Sequence, residues 1–288
     1  RMAYIEIPRK NGKSELGAAI ALYLLFGDHE RGAEIFSAAA DRDQASIVFH
    51  VAAEMVRQAP ALGKRSKVID STKRIVVAGA GSVYRAISAE AATKHGYNAH
   101  GVIFDELHAQ PNRELWDVLT TSGGTREQPL VVAITTAGYD RNSICWEQHD
   151  YAENVIKGIV KDPTFYPIIY SAPEDADWTD EEVWHKCNPA LGEFRDIDEM
   201  RALCAKAKQT PALQNTFRRL YLCQWTQQET RWMPIESWDA TAGVVEAEDL
   251  HGETCYAGLD LASTSDIAAL VLVYPDAGSQ SSWNSHMC

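Results

Sequence analysis

The sequence predicts an α/β fold in which helices flank a mostly parallel β-sheet. Short apolar runs rich in β-branched residues are typical of buried strands, and they occur at residues 2–7, 33–37, 74–78, 101–104, 130–136 and 166–170. Amphipathic helix patterns lie between several of these runs. Because strands and helices that alternate along a chain usually form a parallel sheet, this is the fold class we expect.

Two of the connecting segments have a helical pattern. Residues 14–26 follow the first predicted strand, and apolar side chains recur at helical spacing in residues 44–57. After residue 170 the chain becomes acidic and tryptophan-bearing, over residues 174–184. A helical stripe then follows at Ile197, Met200, Leu203, Cys204 and Ala207. These features predict a small helical subdomain beyond the sheet.

The last part of the chain predicts a second domain. Residues 218–238 show little periodicity, and strand-like alternation resumes at 254–261 and 267–274. We therefore predict a core at 1–172, a helical lid or linker subdomain at 173–244, and the beginning of another domain at 245–288. Because a strand opens almost at Arg1 and a new strand pattern stands close to the end, we expect these residues to be part of a longer protein.

Composition limits the classes of function. The chain has 288 residues, 45% of them hydrophobic, and a net charge of −13. The charge argues against a protein that coats nucleic acid through its overall charge, although a local basic groove stays possible. No run of 18 apolar residues and no signal peptide is evident, so we expect a soluble intracellular protein without a membrane partner.

A phosphate-binding loop is predicted at residues 8–14, which read PRKNGKS and stand between the first strand and the first helix. Backbone N–H groups at the start of the helix would surround the phosphates of a nucleotide, including those of Asn11 and Gly12. Lys13 would reach the β and γ oxygens, and the Ser14 hydroxyl would ligate Mg²⁺. The usual GxxxxGK[ST] spacing requires glycine at position 7, where this chain has Ile7. The alternative is that Lys13 is a solvated lysine at a helix start.

An acidic pair follows the strand at residues 101–104. Ligands bind at the carboxyl ends of strands in open α/β sheets, and Asp105 and Glu106 stand at such an end. This is a Walker B arrangement, in which Asp105 would hold the Mg²⁺ shell and Glu106 would orient and deprotonate the attacking water. The glutamate therefore predicts hydrolysis rather than binding alone. The alternative is a surface pair that caps a strand.

Other polar residues are candidates for the same site. Arg9 and Lys10 place positive charge in the loop, where they could contact the γ-phosphate of the same subunit, or be solvated charges on a turn. Thr135 and Thr136 end the next strand and could sense the γ-phosphate, although a strand that ends at a glycine turn would have the same pattern.

Two further arginines, Arg85 and Arg126, are candidates for an arginine finger supplied to a neighbouring subunit. For each of them the sequence favours a solvated surface arginine.

These motifs together resemble the large terminase subunit of tailed bacteriophages, the motor that packages genomic DNA into a procapsid. The resemblance is carried by the loop PRKNGKS, the strand end IFDE and the following TTAG, and it extends over residues 39–49, 184–192 and 217–225. In that family the first glycine of the loop is often replaced, which accounts for Ile7. An arginine at the position of Arg9 contacts the nucleotide there.

The resemblance implies a P-loop NTPase core of the ASCE type followed by an RNase H-like nuclease domain that begins within this chain. Asp260 matches the first metal-binding carboxylate of that nuclease fold, and Asp266 is a weaker match. Two divalent ions, Mg²⁺ or Mn²⁺, would activate water there. On sequence alone, Asp260 is more often an ordinary strand-end aspartate, and the resemblance reverses this preference. The family's later nuclease carboxylates and its upstream adenine-binding segment have no counterpart in these residues.

The resemblance also implies the partners and the location. We expect ATP and Mg²⁺ at the loop, and double-stranded DNA, the portal protein and the small terminase subunit as partners. A homo-oligomeric ring would assemble on the portal, in the cytoplasm of the bacterial host.

Two other functions stay open. Residues 105–108 read DELH, which matches the DExH box of a two-lobed helicase. A helicase of that kind needs a second motor lobe, however, whereas the segment after residue 170 is short, helical and acidic. His108 is then a hydrogen-bonded histidine at a helix start. The third candidate is a nucleotide-dependent assembly or signalling protein that does no work on DNA.

Overall fold

The computed structural model describes residues 1–88, 96–226, 240, 250–261, 269–275 and 283–287. The chain divides into two compact units, Arg1–Trp232 and Met233–Cys288. The predicted start of a second domain near residue 245 and the predicted ligand Asp266 lie outside the described residues. The division into 1–172, 173–244 and 245–288 stays a prediction.

The first unit is built on an eight-stranded sheet. Its strands are β1 (Met2–Glu6), β2 (Glu34–Ala39), β3 (Lys67–Ile69), β4 (Arg74–Val77), β5 (Ser82–Ser88), β6 (Ala99–Asp105), β7 (Leu130–Thr135) and β8 (Phe165–Ile169). They lie in the order β3-β4-β5-β2-β6-β7-β1-β8. Within this described sheet only the β3–β4 and β4–β5 pairs are antiparallel. The predicted α/β class with a mostly parallel sheet is confirmed, although β3 and β5 were not among the predicted strands.

Helices connect and flank the strands. They are α1 (Lys13–Phe26), α2 (Arg42–Gln58), α3 (Pro60–Gly63), α4 (Glu114–Thr120), α5 (Ile144–Ile156), α6 (Glu181–Cys187), α7 (Ile197–Gln209) and α8 (Pro211–Leu222). None of the helices in the described part of the chain has the length and apolar character needed to cross a membrane.

Helix α8 includes residues 218–222, in which the sequence showed little periodicity. The helix begins with Pro211 in its first turn and buries Gln214 and Asn215 beside Phe217. Because polar side chains occupy part of the buried face, the apolar period of this helix is interrupted. Residues 218–222 are thus helical although their sequence shows little periodicity.

Apolar side chains pack on both faces of the sheet. Successive side chains of a strand point to opposite faces, so Phe36 lies in the cluster that includes α4 and α5, whereas Ile35 lies in the cluster with α1 and α2. A third cluster, which includes Trp184, Met200 and Phe217, holds α6, α7 and α8 together. These three helices form the predicted helical subdomain, which we call the lid.

The strand order places the candidate residues at one edge. Strand β7 lies between β1, which leads into the phosphate loop, and β6, which ends at Asp105. Asp105 is paired with Ile134, and Glu6 with Thr135, so the carboxyl ends of the three strands are level. An additional strand between the loop strand and the acidic strand is the arrangement of the ASCE class.

The described residues of the second unit include a small antiparallel sheet. Its strands are β9 (Tyr256–Asp260), β10 (Ala269–Pro275) and β11 (Trp283–Met287), in the order β11-β10-β9. Strand β9 and most of β10 lie within the two predicted runs.

Candidate active site

A cleft of about 1330 Å³ opens at the carboxyl edge of β2 and β6. Its walls come from three parts of the first unit: the phosphate loop and start of α1, the ends of β2 and β6, and the lid. The lining includes Arg9, Lys10, Asn11, Gly12, Lys13, Ser14, Asp105, Glu106, His108, Phe194 and Arg195. Most of the residues predicted for the nucleotide site therefore line one cavity.

The backbone of the loop is shaped to receive an anion. Lys10 (φ 66°) and Gly12 (φ 75°) have left-handed conformations, and α1 begins directly afterwards at Lys13. Left-handed residues beside a helix start turn successive N–H groups toward one point, where the positive end of the helix dipole adds to their effect. The loop thus presents backbone donors to the cleft.

Ile7 explains why the expected first glycine is dispensable. Its side chain is buried in the core beside α1 and α2, and its N–H donates to the Thr135 carbonyl at 3.0 Å. Its own carbonyl accepts a hydrogen bond from Lys13 Nζ at 3.2 Å. Ile7 therefore continues the hydrogen bonding to β7 directly after β1 ends at Glu6, and the loop turns only after it.

Glu106 lies opposite Lys13. The two side chains form an ion pair with 3.5 Å between Nζ and Oε1, and His108 Nδ1 stands 3.2 Å from Oε2. Burial raises the pKa of Glu106, but His108, Lys13 and Arg9 outweigh this effect and hold the pKa well below its usual range. Glu106 also has a left-handed backbone (φ 52°), which is uncommon outside glycine and is found at functional sites. It is a fixed carboxylate that faces the loop lysine.

The pKa of the adjacent residue, Asp105, is shifted in the opposite direction. Burial and the charge of Glu106 raise the pKa of Asp105 to about 7, and Lys13 offsets only part of this increase. A buried carboxyl group of this kind gains a favourable partner when a divalent cation binds to it. Asp105 is thus suited to hold a metal ion.

Thr135 and Thr136 are completely buried and connect to the acidic pair through His108. Thr135 Oγ1 accepts a hydrogen bond from the backbone N–H of His108 at 3.1 Å. The Nδ1 atom of the His108 ring lies 3.3 Å from Thr136 Oγ1. Since His108 Nδ1 also faces Glu106, a change at the glutamate can reach the end of β7 through one imidazole ring.

Asn11 joins the phosphate loop to the lid. Its Nδ2 group donates to Asn188 Oδ1 at 3.0 Å, and its Oδ1 atom accepts the N–H of Ala190 at 3.0 Å. Asn188 in turn binds the guanidinium of Arg195. The position of the lid is therefore coupled by hydrogen bonds to the loop.

Arg9 and Lys10 lie on the exposed side of the loop. The N–H of Arg9 donates to the Leu220 carbonyl of α8 at 2.9 Å, which fixes the loop against the lid. Its charge contributes to the lowered pKa of Glu106. Arg9 is thus close enough to the acidic pair to affect it.

Neither candidate arginine finger is a solvated surface residue. Arg126 donates to the carbonyls of Gly32 and Asn98 at 2.8 and 2.9 Å, and its side chain is only 9% exposed. Arg85 forms a 2.7 Å ion pair with Glu34. Both guanidinium groups are used within the fold.

Asp260 ends β9 and is exposed. Within the described residues, no group of three or more histidine, cysteine or acidic side chains is arranged to hold a metal ion. The role of Asp260 as a metal ligand of the nuclease stays a prediction.

Comparison with known proteins identifies the family. A model described as the ATPase domain of the terminase large subunit matches residues 1–154, and one described as its endonuclease domain matches residues 159–286. The chain belongs to the terminase large subunit family. Neither family model is that of a helicase.

Two phage terminases of known structure are similar to this chain. It is 34% identical to the large terminase subunit of Enterobacteria phage HK97 over 275 residues, which cover 94% of this chain and 53% of that protein. The HK97 terminase crystal structure aligns with a TM-score of 0.70 at 32% identity, over 96% of this chain and 57% of that one. The ATPase domain of the Thermus phage P74-26 terminase shares the fold, with a TM-score of 0.56 at 18% identity, covering 78% of this chain and 88% of that domain. The chain spans about half the length of the HK97 subunit.

Sequence reasoning missed three residues of this terminase site. His108 was read only as a histidine at a helix start, and Asn188 and Arg195 received no role. The DELH string was the one signal that could have drawn attention to His108. For Asn188 and Arg195 no local pattern exists, because Asn188 binds Asn11, 177 residues earlier, and only the fold places Arg195 in the lining of the cleft.

Proposed function

We propose that this chain is the ATP-hydrolysing part of a viral DNA-packaging motor, which uses ATP to move double-stranded DNA into a procapsid. The observation that carries the proposal is the convergence of Lys13, Asp105 and Glu106 at the mouth of a single cleft, with Lys13 and Glu106 3.5 Å apart. Phosphoryl transfer needs positioned charge more than covalent chemistry, and these residues supply charge of both signs.

Each residue has a distinct role in the proposal. The N–H groups of the loop, from Asn11 to Ser14, and the Lys13 ammonium bind the phosphates. Glu106 accepts a hydrogen bond from the attacking water and takes its proton, because its carboxylate is charged and held in place by Lys13 and His108. Arg9 adds positive charge beside the terminal phosphate.

The residues present also fit a magnesium ion. The Ser14 hydroxyl and the Asp105 carboxylate are oxygen ligands, which Mg²⁺ prefers, and both line the cleft. Bound Mg²⁺ neutralises part of the negative charge of the phosphates. The raised pKa of Asp105 supports this assignment, because a buried carboxyl group without a cation holds its proton near neutral pH.

Thr135 and Thr136 would report loss of the terminal phosphate. Their hydroxyls contact His108, which contacts Glu106, so rearrangement at the glutamate changes hydrogen bonds at the end of β7. The Asn11–Asn188 bond gives a second route, from the loop to the lid. Movement of the lid on hydrolysis would then act on DNA.

The test is steady-state ATP hydrolysis by the intact protein. We expect Lys13→Ala and Glu106→Gln each to lower turnover by ~100-fold or more, as expected for the loss of a charge that stabilises the transition state. Lys157→Ala is a matched control, because Lys157 pairs with Glu153 at the exposed end of α5, away from the residues that line the cleft. Unchanged turnover in Lys13→Ala and Glu106→Gln would overturn the site assignment.

A second measurement separates a motor from a nucleotide-dependent assembly protein. Linear double-stranded DNA should stimulate turnover of the intact motor, and the stimulation should be absent in Glu106→Gln. A rate of ATP turnover that DNA does not change, either with or without the portal protein, would contradict the packaging function.

The remaining features of the proposal concern the whole protein. Asp260 would be the first metal ligand of an endonuclease that cuts concatemeric DNA with Mg²⁺ or Mn²⁺. The small terminase subunit and the portal protein are the expected partners, a homo-oligomeric ring is the expected assembly, and the host cytoplasm is the expected location. In the intact protein, Asp260→Ala should abolish DNA cleavage and leave ATP turnover unchanged.

A further inference from the structure

Arg195 occupies an unusual position in the wall of the cleft. It lies in the lid loop, which we define as residues 188–195 between α6 and α7, and the residue is only 4% exposed. Its Nη1 group binds Asn188 Oδ1. Its Nε and Nη2 groups have no hydrogen-bond partner within the described residues.

A buried guanidinium with two unpaired nitrogens is energetically costly. A buried donor without a partner has lost its hydrogen bonds to water without replacement, and this loss is larger when the group is charged. Burial lowers the pKa of Arg195, and the charge of Glu199 offsets only part of this effect. An anion with several acceptor oxygens would satisfy both nitrogens at once.

The lid loop fixes the backbone of Arg195 tightly. The N–H of Arg195 donates to the Ala190 carbonyl at 3.1 Å, and its carbonyl accepts the N–H of Gly192 at 3.0 Å. The guanidinium also lies over the ring of Tyr221, 5.1 Å from its centre. The arginine is therefore held in place before any ligand binds.

The lid loop also lies directly on the phosphate loop. Asn11 forms hydrogen bonds with Asn188 and Ala190, and the tip of the Phe194 ring stands 3.7 Å from where a Cβ atom of Gly12 would be. Arg195 and Lys13 both line the same cavity.

We propose that Arg195 binds the phosphate chain of the nucleotide in its own subunit, and that this contact holds the lid against the phosphate loop. The proposal rests on the proposed ATP site and extends it to the lid. A guanidinium is the side chain best suited to this task, because its planar donors match phosphate oxygens two at a time.

Equilibrium binding to the intact protein tests the proposal, with ATPγS and inorganic triphosphate as probes. We expect Arg195→Gln to weaken both ligands by ~10-fold or more, because a charge-assisted hydrogen bond is lost in each case. Arg195→Lys should recover part of the affinity, since it keeps the charge but not the fork of donors. The control is Arg201→Gln on α7, where Arg201 pairs with Glu181 and Asp198 on the lid surface.

The outcomes separate this inference from the function on which it rests. If Lys13→Ala abolishes binding while Arg195→Gln retains wild-type affinity, Arg195 has a structural role only and the inference fails. If Lys13→Ala itself binds ATPγS normally, the ATP site is wrong. Loss of ATPγS binding with unchanged binding of triphosphate would also overturn the inference, because a base or ribose contact would then be responsible.

Thermal unfolding distinguishes loss of a ligand contact from loss of the folded structure in Arg195→Gln. Arg195→Gln should unfold near the wild-type temperature without a ligand, since the substitution also removes the cost of two unpaired buried nitrogens. It should lose most of the stabilisation that ATPγS gives the wild type. A variant destabilised without ligand but stabilised by ATPγS as much as wild type would contradict the proposal.

Discussion

Two walls of the cleft differ in how their charged side chains are paired. The sheet wall consists of the phosphate loop and the ends of β2 and β6, and the lid wall consists of the lining residues of the lid. On the sheet wall, Glu106 lies within ion-pair distance of both Lys13 and His108 without any ligand. On the lid wall, Arg195 is buried, and its Nε and Nη2 groups have no hydrogen-bond partner among the residues that the structure describes. The sheet wall is therefore arranged in advance for chemistry, whereas the lid wall becomes complete when an anion enters.

The largest expected effect concerns the metal ligand of the sheet wall. If this wall performs the chemistry, Asp105→Asn should lower Mg²⁺-dependent ATP turnover by ~100-fold or more, because metal binding supplies several kcal/mol of charge stabilisation. Phosphate release measured against magnesium concentration is the appropriate assay. Asp117→Asn on the surface of α4 is the control. If Asp105→Asn keeps wild-type turnover, Asp105 is not a metal ligand and the sheet wall is not shown to perform the chemistry.

The next largest effect is expected at Asn188, which connects the two walls. Asn188 is buried, and its side chain links several segments: its Nδ2 donates to the carbonyls of Trp184 and Tyr221, and its Oδ1 accepts from Asn11 and Arg195. Asn188→Ala leaves several buried groups unpaired, so we expect a loss of about 2–3 kcal/mol in the free energy of unfolding. Urea denaturation measures this loss. Asn154→Ala removes only an exposed contact to Asp150 and should change stability little.

A smaller effect is expected at His108, which fixes Glu106 without binding a ligand itself. His108→Ala should lower turnover by ~10-fold, because Glu106 loses the partner of its Oε2 atom and the pKa of Glu106 rises toward its usual value. The acid limb of the pH–rate profile should move to higher pH. A lowered rate with an unchanged profile would show that His108 supports the fold of β7 and not the charge of Glu106.

The smallest expected effect is the pH dependence of stability that Asp105 introduces. Its pKa in the folded protein, about 7, lies above the ordinary value of 3.8, so the folded state binds the proton more tightly. The contribution of Asp105 is then most favourable below about pH 4 and is lost as the pH rises through about 7. In metal-free protein, Asp105→Asn should be more stable than wild type at pH 8 by at least about 1 kcal/mol. An equal difference at pH 4 and pH 8 would contradict the raised pKa.

Parts of the site were predictable because they are local. The loop of residues 8–14 and the pair Asp105–Glu106 each follow an apolar strand, and parallel strands deliver their ends to one edge. Thr135 and Thr136 could be placed beside them for the same reason. The lid contacts could not be predicted, because Asn11 and Asn188 are far apart in sequence and an asparagine in a loop has many possible partners.

Gly138 shows how a residue that the sequence explains locally can have a tertiary purpose. In the string TTAG it resembles a turn glycine that ends a strand. In the structure, the Trp225 ring lies 3.0 Å from the position that a Cβ atom would occupy on this residue. The missing side chain makes room for an indole that also approaches Glu6.

The sequence by itself determined the α/β class, the loop, the acidic pair and the resemblance to the terminases, because periodicity and motif spacing are properties of short segments. Only the tertiary structure decided that β7 lies between β1 and β6, that Arg85 and Arg126 are occupied within the fold, and that Arg195 faces the cleft. The physical reason is that strand order, ion pairing and burial depend on contacts between distant segments. The energy of a buried charge is set by those contacts and not by its neighbours in the chain.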